Sequence, residues 1–370
     1  MTPYFLIDAD KIERNLTILH GIMERTGCSI LLAQKCFSCY ALYPLIGKYL
    51  SGATASGLFE ARLCSEEMPG KENHVFSPAF RDDDIDELIQ LCDHIVFNSP
   101  RQLHLYGRRA KSAGLQVGLR INPECSTQEG HAIYDPCAPG SRLGTTIEGL
   151  SVMPEEDFGL LDGLHFHTLC EQNSDDLETT LNAVEERFGK YLSRMKWINF
   201  GGGHHITRTD YDIPRLERLI THMQHRYGLH VYLEPGEAVV LNAGTLHTTV
   251  LEIQPVGTDG IRNVIVDTSA ACHMPDVIEM PYLPPLVEAE GEHAYRLGGP
   301  TCLSGDVIGV YHIGRELHEG DELVFGDMAI YSMVKTNTFN GMPLPDIYIS
   351  RCGQVEKWKS FGYDDFKKRV

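Results

Sequence analysis

The chain has no run approaching the roughly 18 consecutive apolar residues that a membrane-spanning helix requires, which excludes a helical membrane protein. Positive charge is also scarce: 32 Lys and Arg stand against 51 Asp and Glu, for a formal net charge of -19. A nucleic-acid partner is therefore not expected, because phosphate-binding surfaces are built from clustered Lys and Arg. The acidity serves solubility first and is compatible with a cationic substrate. The opening segment, Met1-Thr2-Pro3-Tyr4-Phe5-Leu6-Ile7-Asp8, lacks a basic region followed by a long apolar one, so no secretory signal is expected. The eleven cysteines are then expected as reduced thiols of a cytoplasmic protein. Cys36 and Cys39 form a CxxC, but no second CxxC follows, which favours packing thiols over a zinc site. Internal repeats and low-complexity tracts are missing too.

What is present is a long alternation of strand-like and helix-like segments. Asp10-Lys11-Ile12-Glu13 fits a capping box, and Ile12, Leu16, Leu19 and Met23 follow at helical spacing, predicting a helix from about residue 11 to Arg25. Strands at 29–34, 53–55, 74–76, 95–97, 116–121, 163–166, 197–200 and 230–233 alternate with helical patterns such as 39–50, 58–66, 83–91, 99–112, 175–190 and 213–226. About eight βα units imply an α/β (β/α)8 barrel with its site at the C-terminal ends of the strands. Beyond about residue 245 the texture changes to short β-rich runs broken by Gly and Pro. The expected organisation is a barrel over 10–245 and a β-rich domain formed by 246–370 with the N-terminal strand, 1–9. The stretch Asp135-Pro136-Cys137-Ala138-Pro139-Gly140-Ser141 reads as a long loop that covers the barrel mouth.

Lys35 ends the apolar run Ile30-Leu31-Leu32-Ala33. Burying an unpaired lysine costs several kcal/mol, so one aimed inward generally has a task; otherwise it simply snorkels out at a strand end. Other chemistry-bearing residues recur at strand ends. His165 and His167 are spaced to share a face, with His167 nearer the barrel mouth. Gly201-Gly202-Gly203 follows an apolar strand, where backbone N–H groups can approach a phosphate. Glu234, in Glu234-Pro235-Gly236-Glu237, can keep a pyridine nitrogen cationic. Cys302 and Asp306 lie in a Gly-rich loop, and Tyr331 offers a hydroxyl for a phosphate.

Taken in order, these motifs resemble the pyridoxal-phosphate decarboxylases of the alanine-racemase-like fold, which act on ornithine, arginine, diaminopimelate and carboxynorspermidine. The resemblance spans nearly the whole chain. It implies pyridoxal 5'-phosphate as cofactor and no metal, with Lys35 carrying the cofactor as an imine, His167 stacking on its ring, and Gly201, Gly202, Gly203 and Tyr331 holding the phosphate. Glu234 pairs with the ring nitrogen, and Cys302 and Asp306 come from the partner subunit of a homodimer with shared active sites.

Departures from the family pattern narrow the reading. Glu237 stands where ornithine and diaminopimelate enzymes carry Arg, Thr168-Leu169-Cys170 replaces a Gly-Ser, Leu303 replaces an acidic residue, and Ala53 replaces a barrel aspartate that would partner His167. Gln34-Lys35-Cys36-Phe37-Ser38, Glu234-Pro235-Gly236-Glu237-Ala238 and Ser269-Ala270-Ala271-Cys272-His273-Met274-Pro275-Asp276 are most similar to the branch that decarboxylates carboxynorspermidine or carboxyspermidine. On this reading Glu237 and Asp276 are anionic anchors for a carboxylated polyamine, with Asp306 and Arg142 as further substrate contacts, and Cys302 assists reprotonation. Decarboxylation of another basic amino acid remains the alternative. A metal-dependent barrel hydrolase using His165, His167 and Asp276, or a non-catalytic carrier of the cofactor, are further ones.

Overall fold

The computed structural model describes residues 1–128, 135–288 and 290–370. The chain forms two compact units: one of Arg14–Lys35 and Cys39–Val239, the other of Met1–Glu13, Cys36–Ser38 and Val240–Val370.

Strand β1 (Tyr4–Asp8) leads into a helix over Ala9–Thr26. This helix starts two residues earlier than the predicted capping box, because Asp8 Oδ1 accepts from the N–H groups of Asp10 and Lys11, both at 3.0 Å. The larger unit is then a closed barrel of eight parallel strands: β2 (Ser29–Ala33), β3 (Gly52–Ala55), β4 (Glu72–Phe76), β5 (His94–Phe97), β6 (Gln116–Arg120), β7 (Gly163–His165), β8 (Trp197–Asn199) and β9 (His230–Leu233). Closure comes from Ser29 and Ile30 of β2 pairing with Tyr232 and Leu233 of β9. The predicted 39–50 helix resolves into a turn at Tyr40–Leu42 and a helix at Tyr43–Tyr49, with Pro44 in the first helical turn.

Alternate residues of each strand face the barrel axis, and the middle layer is packed by Leu31, Val96, Trp197 and Tyr232, with Phe76 against them. Trp197 fits because two neighbouring strands give up their side chains. A Cβ at Gly118 or at Gly163 would overlap the indole. This plug divides the interior into an upper end, where the strands finish, and a lower end, where they begin.

The smaller unit is an eight-stranded mixed sheet. Its path is β13-β12-β11-β10-β1-β15-β16, with β14 also pairing β10. Here β10 is Gly244–Val256, β11 Arg262–Val266, β12 His293–Gly298, β13 Val307–Ile313, β14 Glu322–Phe325, β15 Asp346–Arg351 and β16 Gln354–Lys359. The N-terminal strand joins this sheet, antiparallel to β10 and parallel to β15. Among the described residues no cysteine forms a disulfide, and no helix is long and apolar enough to cross a membrane.

Candidate active site

β2 ends at Ala33, two residues short of Lys35. Gln34 turns inward instead: its N–H donates to Thr54 O at 3.2 Å and its Oε1 accepts from the Tyr43 hydroxyl at 3.0 Å. Lys35 is consequently exposed rather than buried. Its ammonium lies near enough to His167 and His165 to disfavour their protonation.

The upper ends of β6, β7, β8 and β9 carry a connected set of polar groups. Glu234, just past β9, is buried. Asn199 Nδ2 donates to its Oε1 at 2.8 Å, and His165 Nε2 lies 3.4 Å from its Oε2, a longer contact. Burial opposes ionisation of Glu234, but these partners outweigh it and bring the carboxyl down to about 2, with His74 contributing. His165 is itself held below its usual range, by burial before any other cause. A neutral imidazole acts on Glu234 as a dipole, so the Asn199 N–H is the firmer support.

His167, two residues beyond β7, is held far below its usual pKa by burial, with Lys35 and Arg120 adding to the effect. Its Nδ1 accepts from the Gly202 N–H at 3.0 Å. That backbone amide is the partner the missing aspartate at Ala53 left open, and it leaves the ring neutral with its proton on Nε2.

The glycine run is required residue by residue. Gly201 and Gly203 have φ of +69° and +81°, and a Cβ at Gly202 would come within 2.6 Å of Glu234 O. Asn199 Oδ1 accepts from Gly201 N–H at 2.8 Å, so one amide side chain bridges Glu234 and the glycine turn. A backbone that admits no side chain beside an ionised buried carboxylate and a neutral imidazole fits a flat, phosphorylated pyridine cofactor.

Arg120, the last residue of β6, escaped sequence reasoning although it ends its strand as Lys35 nearly ends β2. It is buried, its guanidinium sits 4.7 Å from the centroid of the Phe76 ring, and Nη2 donates to His167 O at 3.3 Å. Burial lowers it to about 10, so it stays charged at neutral pH. Arg142 is exposed and follows turns closed by Ser141 Oγ on Pro136 O.

Three expected substrate anchors are already engaged within the chain. Glu237 Oε2 accepts from His205 Nε2 at 2.6 Å, both side chains being about nine-tenths buried, so the cation expected beside it is a histidine rather than a substrate ammonium. Asp276 pairs with Lys335, which also contacts Glu279 at 3.1 Å. Asp306 is buried, and its carboxylate accepts from Ser269 Oγ at 2.9–3.0 Å, Thr301 Oγ1 at 2.6 Å and Ala271 N at 3.2 Å. It shapes the loop that leaves Cys302 exposed, and has no capacity left for an external ammonium. In the same unit Tyr331, with φ +54°, donates its backbone N–H to Cys36 O at 3.0 Å.

The hydrolase alternative loses its ligands in the same way, since His167 Nδ1 is taken by Gly202 and Asp276 by Lys335. Among the described residues, the His, Cys, Asp and Glu side chains with metal-ligand spacing are Glu72, His74 and His94, whose reactive atoms lie within 4.8 Å of one another. They belong to the lower end of the barrel, and the His74 and His94 rings stack face to face at 3.8 Å rather than converge on a point.

Comparison with known proteins agrees with this geometry. Residues 9–329 match the family described as pyridoxal-dependent decarboxylase, C-terminal sheet domain. The chain is 40% identical to a carboxynorspermidine/carboxyspermidine decarboxylase of Campylobacter jejuni, across 100% of this chain and 98% of the relative. It is 39% identical to a carboxyaminopropylagmatine decarboxylase of a Synechocystis species, across 100% and 95%. The crystal structure of the Campylobacter jejuni carboxynorspermidine decarboxylase complexed with norspermidine superposes with a TM-score of 0.91 at 38% identity, covering 100% of both chains.

Proposed function

The chain belongs to the pyridoxal-dependent decarboxylases, and from that premise we propose that it removes the carboxylate from carboxynorspermidine or carboxyspermidine, yielding norspermidine or spermidine for polyamine biosynthesis. The observation that carries the substrate assignment is the full-length similarity to the norspermidine-complexed Campylobacter enzyme.

Pyridoxal 5'-phosphate, when bound, supplies an electrophilic aldehyde and a ring that accepts the electrons left by departing CO2. Lys35, exposed two residues beyond β2, would be the amine that holds the aldehyde. Glu234, ionised and buried, keeps a proton on the ring nitrogen. His167 would present a neutral face fixed by the Gly202 N–H, and the Gly201–Gly203 turn, bare of side chains, would give the phosphate room beside it. Arg120 holds His167 through its backbone carbonyl. Arg142 has the charge to meet the substrate's carboxylate rather than its ammonium groups. Cys302, exposed on its loop, delivers the proton that replaces CO2.

The working unit proposed is a homodimer in the cytoplasm, with Cys302 supplied to the partner's Lys35. Mixing inactive Lys35→Ala and Cys302→Ala subunits is expected to restore part of the activity; no recovery, with subunit exchange verified, would refute the shared site.

The Synechocystis relative favours a second reading, decarboxylation of carboxyaminopropylagmatine, at nearly equal identity. Incubating purified protein with each of the three carboxylated substrates and identifying the products by mass spectrometry decides between them. Turnover of the agmatine derivative alone would move the assignment there, and turnover of diaminopimelate instead of all three would remove the polyamine reading.

A further inference from the structure

The carboxylate of Glu234 is buried and ionised, yet the chain satisfies only one of its two oxygens. Oε1 accepts from Asn199 Nδ2 at 2.8 Å. Oε2 has His165 Nε2 at 3.4 Å, but that nitrogen makes no hydrogen bond. Among the described residues nothing else donates to Oε2, and the side chain is 10% accessible, so a donor from outside the chain can reach it. A buried charge left without a donor is costly, and a carboxylate fixed by one oxygen and open at the other is built for a donor that the chain does not supply.

The satisfied half is set by the backbone. Asn199 Oδ1 accepts from the Gly201 N–H at 2.8 Å, which closes a turn over Asn199, Phe200 and Gly201. A backbone N–H can only donate, so the oxygen of the amide must face Gly201 and its nitrogen must face Glu234. Gly201 has φ of +69°, and a Cβ there would come within 2.5 Å of Phe166 O, so the N–H that sets this orientation is itself held in place. Control thus runs from the glycine turn through one amide to one carboxylate oxygen. We propose that Asn199 is a positioning residue that holds Glu234 by Oε1 and thereby reserves Oε2 for the protonated ring nitrogen of the cofactor. The inference rests on the reading that pyridoxal 5'-phosphate is that cofactor. It gives the Gly201 N–H a task other than meeting the phosphate: it orients the amide that orients the carboxylate.

The test uses two probes that share the aldehyde, hydroxyl and phosphate but differ at one ring atom: pyridoxal 5'-phosphate, and its analogue with C–H in place of the ring nitrogen. Asn199→Ser is the informative variant, because a serine hydroxyl can close the same turn on Gly201 but cannot span to Glu234. Calorimetric titration of apo-protein is expected to show pyridoxal 5'-phosphate binding about tenfold weaker in Asn199→Ser than in wild type, the worth of one charge-assisted hydrogen bond, with binding of the analogue within about twofold. The 15N resonance of a labelled ring nitrogen should move toward its unprotonated position, and kcat should fall with KM for the polyamine substrate unchanged. In a Glu234→Gln background the same substitution should add no more than about twofold, because its effect passes through the carboxylate. Equal losses for the two probes, or an undiminished loss in that background, would mean that Asn199 serves the turn alone; unchanged affinity with an unmoved 15N resonance would mean that Glu234 is positioned without it. Any of these overturns the inference. A wild type that binds neither probe would sink the cofactor assignment itself, which separates the two failures.

Discussion

The two ends of the barrel interior are made from nearly the same residue types and behave differently. The lower end holds Glu72, His74, His94, His230 and Ser29, and the upper end holds Glu234, His165, His167, Asn199 and Arg120. Below, the groups answer one another: His74 Nε2 donates to Glu72 Oε2 at 2.9 Å, His230 Nε2 lies 2.9 Å from Ser29 Oγ, and the His74 and His94 rings stack. Burial, with His74 and His230 alongside, drives His94 down to about 2, so this ring is neutral packing. Above, an ionised carboxylate, a buried guanidinium and a turn of side-chain-free backbone are held open. A histidine-rich cluster is thus no sign of a site by itself; what distinguishes one is charge that the chain keeps in place at the strand ends.

The sharpest way to break this contrast is at the upper end. Lys35→Ala is expected to abolish both the imine absorbance band and turnover, since Arg120 keeps its proton and cannot act as the amine. A variant that keeps the band would reverse the assignment. Glu234→Gln comes next, with cofactor retained and kcat reduced roughly 10²-fold, the scale for losing one preorganised charge. A rate unchanged by this substitution would place Glu234 with the inert histidines below.

The lower end should respond in stability alone. The folded-state pKa of His94 lies below the unfolded value of about 6.5, so the unfolded chain binds the extra proton and stability falls as pH drops through that window. His94→Leu is expected to flatten the fall between about pH 6.5 and 4 by up to about 1.4 kcal/mol per pH unit, with activity near neutral pH intact. Chemical denaturation at a series of pH values reads this, and an unaltered slope would show that His94 is not buried neutral. The smallest effect expected is for Glu72→Gln, about 0.5 kcal/mol in stability with no change in cofactor affinity, because its side chain is 36% exposed.

Much of this was legible before folding. The barrel and its appended sheet follow from a change in texture near residue 245, and Lys35, Gly201–Gly203 and Glu234 stand out because each falls at the end of an apolar strand. Residues whose roles depend on a neighbour from another strand were not. Asn199 reads as a polar strand end until Glu234 and Gly201 come to either side of it. Glu237 looked like a substrate anchor because His205 lies 32 positions upstream, on the loop after a different strand. Asp276 and Asp306 misled for the same reason, their partners Lys335, Ser269 and Thr301 being neighbours only in space. Helix starts slipped where a side chain outside the expected box, Asp8, captured the free N–H groups.

Trp197 and the two glycines that yield to it carry a consequence for descent. Gly118, Gly163 and Trp197 lie on three successive strands, yet their volumes form a single quantity, large in one place because it is absent in two. A lineage that enlarges either glycine collides with the indole, and one that shrinks the tryptophan opens a void of the kind that costs about 3–5 kcal/mol. Neither half-step is neutral, so the volumes at the three positions are fixed as one quantity.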